Sequence, residues 1–410
     1  MADNDRTPTQ RTFRNSFFTP PRAHGEEIED RSVSFLELFY DLVYVVVIAQ
    51  ATHHLAVHVT WRGLGEFAVI FGMIWLAWLN GSLYYDLHGR EDGRTRTLVF
   101  VQMGLLALLA VFTGGAAGSD GAQFAIVYAI YLAVFTWMWW VVRQQDDDKY
   151  MDITRRYLIG MAISTVAVAS TAFMDADTRL IVWAVYVVGW VFFSVLFDNI
   201  QGGMAALGFN ITDSMLERFG LFTIIVLGEV VVGVVIGMSD SDRTTIAIAT
   251  GMIGLMIGFA LWWTYFDFVG ARTVKPGGGR HSRWMMSHLP TAGAIAASGA
   301  AMVSLIEHSH DARTPVPTAW LLSGSVALAL LALALITTTL EDAKRLPNVY
   351  RPVQAALAVG AIAALGLALI RPRPWLFALI VVLILSAVWL FAITIWIRRT
   401  DSDEHVPSLG

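Results

Sequence analysis

Twelve stretches of this chain stay apolar for about 20 residues, the length a helix needs to cross the hydrocarbon core of a bilayer. They lie at roughly 33–58, 65–87, 95–114, 122–142, 153–173, 179–200, 216–238, 243–268, 284–308, 317–340, 352–370 and 374–397. Backbone exposed to lipid must close its own hydrogen bonds, and these runs are too long for barrel strands. The expected fold class is therefore an all-α polytopic membrane protein with about twelve transmembrane helices. Composition agrees: 56% of residues are apolar and 15% charged, with a mean hydropathy of +0.58. A soluble domain is about half apolar and a quarter charged. The absence of cysteine excludes disulfides, thiolate metal sites, cysteine nucleophiles and iron–sulfur clusters. No apolar h-region precedes the first run, so the first span itself is expected to direct insertion. The ends, 1–31 and 400–410, read as disordered cytoplasmic tails.

Positive charge sets the expected orientation. With the N-terminus inside, 22 of the 28 Lys and Arg residues fall in inside segments. Only Arg62, Arg179, Arg243, Arg313, Arg371 and Arg373 fall outside. That asymmetry predicts a multi-pass protein of the plasma membrane with both termini cytoplasmic.

The chain also resembles itself. Ser34, Leu36, Glu37 and Phe39 are matched 180 residues later by Ser214, Leu216, Glu217 and Phe219. Tyr84-Tyr85-Asp86, closing the second span, is matched 181 residues later by Tyr265-Phe266-Asp267, closing the eighth. A register held over two spans predicts two parallel six-helix repeats, 32–205 and 206–399. Six spans is an even number, so the halves share one orientation.

Three segments carry a resemblance to a known family. The first is Phe35-Leu36-Glu37-Leu38-Phe39-Tyr40-Asp41-Leu42-Val43-Tyr44, running on to Ala51-Thr52-His53-His54-Leu55. The second is Glu217-Arg218-Phe219-Gly220-Leu221-Phe222-Thr223-Ile224-Ile225-Val226-Leu227-Gly228-Glu229, and the third is Ser287-His288-Leu289-Pro290. Together they resemble the low temperature requirement protein A (LtrA) family over about 33–397, with Tyr40 a mild departure from its first motif. The family takes its name from a growth phenotype in the cold, which brings no mechanism with it.

Ionisable residues inside a membrane are costly and point to function by default. Glu229 sits mid-span, twelve residues past Glu217, or about 18 Å along a helix. No capping role is open to it there. By repeat register its nearest counterpart is Gln50, one residue off, and the two are expected to face each other. Asp41 follows Glu37 by four residues, so the two carboxylates share a helix face and repel. An arginine such as Arg218 or Arg96 is the alternative partner of Asp41. Ser34-x-x-Glu37 and Ser214-x-x-Glu217 both read as capping boxes; either glutamate would also line a vestibule. Asp86 and Asp267 precede basic residues (Arg90, Arg94 and Arg96; Arg272), which suggests interfacial ion pairs. His288, two residues before Pro290 at a helix's first turn, is expected to bond an acidic neighbour. His53, His54 and His58 read as interfacial histidines without a metal. Trp75, Trp78, Trp262 and Trp263 read as packing or belt residues, or else as the wall of an organic-substrate site. Gly233-x-x-x-Gly237 and Gly254-x-x-x-Gly258 allow close helix contact. The apolar runs at 326–336 and 355–369 read as lipid-facing scaffold.

The three lysines, at 149, 275 and 344, fall in predicted loops, which excludes a retinal Schiff base within the bundle. No phosphate loop, dinucleotide fingerprint, metalloprotease motif or serine triad is present, and no loop is long enough for a nucleotide-binding domain. No cofactor, bound metal or nucleic acid is expected. The expected partners are the lipid bilayer and a small solute moving with a proton or cation. The leading reading is a secondary transporter with Glu229, Asp41, Glu37, Glu217, Gln50, Asp267, Asp86 and His288 as candidate binding residues. The alternatives are a lipid-modifying intramembrane enzyme using Asp41, Glu229 and His288 as acid/base groups, and a sensor or assembly factor without catalysis. The oligomeric state stays open.

Overall fold

The computed structural model describes residues 20–26, 33–90, 92–200, 211–270, 272–275 and 279–400, without the side chains of 197–200 and 399–400. The tails at 1–19 and 401–410 and the expected repeat boundary at 205/206 lie outside the described residues. Among those described, twelve helices are long and apolar enough to cross a membrane. They are α1 (Phe35–Val57), α2 (Trp61–His88), α3 (Gly93–Thr113), α4 (Gly121–Arg143), α5 (Asp148–Ser170), α6 (Ala176–Ile200), α7 (Asp213–Asp240), α8 (Thr245–Phe268), α9 (Arg280–Glu307), α10 (Val316–Thr337), α11 (Pro347–Ile370) and α12 (Pro374–Thr400). The chain is a multi-pass, all-α membrane protein.

Helix boundaries follow from local chemistry. Ser34 and Glu37 form the expected capping box at α1: the Ser34 backbone N–H donates to Glu37 Oε2 (2.9 Å) and the Glu37 N–H to Ser34 Oγ (3.3 Å). The second expected box does not form. At α7 the capping hydroxyl is Thr212, which accepts from the Met215 N–H (3.1 Å), while Ser214 lies one residue inside the helix. Thr212, two residues upstream, takes the capping position on the Met215 N–H, so the serine falls inside the helix. Asp92 caps α3 by accepting from the Thr95 N–H (2.8 Å). Pro290 is not in a first turn: α9 begins at Arg280, and the proline sits inside it. Its missing N–H is tolerated where polar side chains bond carbonyls of the same turns. His288 bonds the Trp284 oxygen (2.8 Å), and Thr291 bonds that of Ser287 (2.9 Å).

The chain forms two compact units. Unit 1 comprises residues up to Val47, Met73–Val187 and Leu207–Met215. Within it α4 packs on both α3 and α5. Residues 20–26, part of the segment read as a disordered tail, pack onto this unit: Arg22 is 3% exposed. Unit 2 comprises Ile48–Gly72, Val188–Ala206 and Leu216–Gly410. Its centre is α9, 83% of whose apolar window is buried. Against it lie α8 and α10, and α12 packs on α8 and α11. The run at 326–336 is more enclosed than scaffold alone requires: 67% of the apolar stretch of α10 is buried against 44% for α8, while Leu328, Leu331 and Leu335 form an exposed stripe. Ala327, Ala329 and Ala332 are small enough to bring its backbone close to its neighbours.

Candidate functional site

In unit 2 the site centres on Glu229, midway along α7 and 3% exposed. The α7 backbone there lies directly on α9. A Cβ on Gly299 would fall 2.4 Å from the Glu229 carbonyl oxygen, and one on Gly233 would fall 2.2 Å from the Gly299 oxygen. Gly237 fits against Ile306 and Val303 of the same helix. On α8, Gly258 faces Val230 and Gly254 faces Met302. The two glycine motifs therefore bring α7, α8 and α9 together as their spacing implies.

The Glu229 carboxyl faces the hydroxyl of Thr52. Gln50, the expected counterpart, lies on the exposed face of α1. Two residues turn a helix by about 200°, so only one of these positions points inward. Thr52 donates to the Ile48 carbonyl (2.9 Å). A hydroxyl has one hydrogen and two lone pairs. A hydroxyl beside a carboxyl can accept from the neutral acid or, rotated, donate to the carboxylate.

His288, 3% exposed, bonds the Trp284 carbonyl through Nδ1 (2.8 Å) and Tyr265 Oη through Nε2 (3.1 Å). A carbonyl only accepts, so Nδ1 carries the hydrogen and Nε2 accepts from the tyrosine. Its expected acidic neighbour is thus a phenol, and Phe219 and Trp284 meet the ring edge-on with centroids 4.7 and 4.5 Å away. Asp267 accepts from Trp389 Nε1 (2.6 Å), and Arg272 reaches the Asp267 backbone oxygen (3.2 Å) and the Asp342 carboxylate (3.5 Å). Glu217 lies on the exposed side of α7, next to the fully buried Arg218. His54 bonds Glu66 (3.1 Å), which also pairs with Arg62 (2.9 Å), and His58 stacks on His54.

Unit 1 holds a second set of buried polar groups. Asp41, 1% exposed, accepts from Trp78 Nε1 (3.0 Å). Glu37 folds back onto Ser34. Asp86 accepts from Thr212 Oγ1 (2.9 and 3.0 Å), which ties the end of α2 to the capping residue of α7. Arg90 pairs with Glu26 (2.8 Å). It is Arg22 that reaches the carbonyls ending α2, those of Asp86 (2.8 Å) and Gly89 (2.9 Å), where the helix dipole favours a cation.

Sequence reasoning passed over a cluster of hydroxyls in this unit. Tyr40 and Tyr44 of α1 meet Tyr131 of α4, with oxygens 2.5, 2.7 and 3.2 Å apart. Gly81 leaves room for Tyr40: a Cβ there would lie 2.6 Å from its oxygen. The four-residue spacing of Tyr40 and Tyr44 was the available signal. Trp75 and Trp78 are fully buried, whereas Trp262 and Trp263 are 40% and 49% exposed.

The model of the bacterial low temperature requirement A protein (LtrA) family matches residues 32–390, and the chain belongs to that family. A curated relative, the uncharacterized protein RA0937 of Rhizobium meliloti (strain 1021), is 23% identical over 289 residues, covering 66% of this chain and 68% of its own. No solved structure matches the chain.

Proposed function

We propose that this LtrA-family membrane protein is a secondary transporter that couples a small solute to a proton or cation through Glu229. The carrying observation is the placement of that carboxyl, buried in mid-helix with the Thr52 hydroxyl as its polar neighbour. A group that gains and loses a proton at membrane depth without rebuilding its surroundings is what coupled transport requires. Close glycine contacts between α7 and α9 support the reading, because bare backbones slide past one another without side-chain interlock. Asp41 would be a second ionisable group, held by Trp78. In this reading the protein lies in the plasma membrane with cytoplasmic termini, on the distribution of Lys and Arg. Its two six-helix repeats, 32–205 and 206–399, would alternate access to the solute.

The test is proton flux into liposomes carrying the protein, with a panel of solutes under an imposed potential. The expected outcome is solute-dependent flux in the wild type and loss of at least about tenfold, or 1.4 kcal/mol in the barrier, in Glu229→Gln. Equal flux in a folded Glu229→Gln protein would remove Glu229 from the pathway. A chemically altered lipid without any gradient would favour an enzyme instead.

A further inference from the structure

A groove of about 600 Å³ runs between α4 and α5 within unit 1. Its walls are apolar and aromatic, including Ala133, Trp137, Trp140, Leu158 and Ile159. It spans eleven residues of α4, from Ala133 to Arg143, or about 15 Å of helix. That is half of the ~30 Å hydrocarbon thickness, the depth of one leaflet. The two ionisable residues lining it are both arginines, Arg143 and Arg155. Both lie at the end nearest the α4–α5 turn, where a membrane interface would fall. Arg143 Nε is buried with no hydrogen-bond partner among the described residues. A third guanidinium, that of Arg94, lies 5.8 Å over the ring of Trp137. Of the acids at this end, Asp146 is taken by His24 (2.6 Å) and Thr154 (2.8 Å). Asp147, Asp148 and Asp152 belong to the turn and the start of α5, outside the lining. The chemistry is thus a long apolar trough ending in cationic forks.

We propose that this groove seats one phospholipid with a net anionic head group, its acyl chain along the tryptophan wall and its phosphate against Arg143 and Arg155. Arginine binds phosphate through paired N–H donors, and basic pockets between membrane helices favour anionic lipid heads. A free phosphate would leave the trough unused, and a neutral lipid would add a cation beside the guanidinium groups.

The test uses the full chain in a non-ionic detergent, with native mass spectrometry and thermal unfolding as readouts. Phosphatidylglycerol, phosphatidylcholine and inorganic phosphate are added separately. Retention of phosphatidylglycerol at least about tenfold above phosphatidylcholine and a raised unfolding temperature with that lipid alone are expected. Arg143→Gln/Arg155→Gln is expected to abolish both effects. If that double variant fails to fold, Arg155→Gln, which changes an exposed side chain, is expected to weaken the preference severalfold. Equal retention of the two lipids, equal stabilisation by phosphate alone, or an unchanged preference in Arg155→Gln and the double variant would each overturn the proposal.

Discussion

Thr52 shows how much one hydroxyl decides. Its oxygen lies between the Ile48 carbonyl and the Glu229 carboxyl, and valine is nearly its shape without the polarity. Thr52→Val should lower stability by about 1–3 kcal/mol, because a buried carboxyl loses its polar neighbour. Thr52→Ser should retain most of it, and unfolding midpoints in detergent would separate the two. Asp146 is decided by competing effects outside the membrane spans. Burial pushes its carboxyl up, but hydrogen bonds from His24 and Thr154 outweigh that and hold it below the usual carboxylate range. A depressed folded value means its stabilisation is complete above the ordinary value of about 3.9 and is lost as pH falls through the lower folded one. The protection factor for hydrogen exchange over residues 20–26, with the intrinsic pH dependence of exchange divided out, should therefore fall as the pH drops through the depressed Asp146 value. Asp146→Asn should raise that exchange already at neutral pH. Steady protection to pH 2 in the wild type would contradict this account.

At the scale of elements, the α7–α9 contact depends on glycines that are not interchangeable. Gly233 meets the Gly299 backbone, which cannot swing aside as a flexible side chain would, whereas a Cβ on Gly228 of the same helix meets nothing within 4 Å. Gly233→Ala should cost about 1–3 kcal/mol by forcing the helices apart. Gly228→Ala should be neutral or stabilising by up to about 1 kcal/mol through helix propensity. A pair of thermal unfolding curves checks the contrast, and equal effects would refute the close approach. The glycine spacing was legible beforehand because four residues return a helix to the same face. The proline in α9 was misplaced because a proline reads first as a helix start. Only its neighbours, His288 and Thr291, show that carbonyls on these turns find other donors.

For the whole molecule, twelve crossings imply that the two ends emerge on one side. Reporter fusions at residues 1 and 410 should give the same sidedness, and the excess of Lys and Arg predicts a cytoplasmic signal from both. Opposite readings would mean an odd number of crossings. The chain by itself determined that it is a membrane protein, that twelve helices among the described residues are long and apolar enough to span, to which family it belongs and which carboxylate sits in mid-helix. Each of these is written in windows of about 20 residues or in local motifs, because a helix in lipid must close its hydrogen bonds within its own segment. Which faces meet was decided only in three dimensions: Thr52 and not Gln50 beside Glu229, a phenol and not an acid beside His288, α10 buried on all but one leucine stripe. Helices that are apolar all round carry little asymmetry to announce an inward face. The choice therefore falls to packing between small residues and to individual hydrogen bonds, which exist only once the helices are side by side.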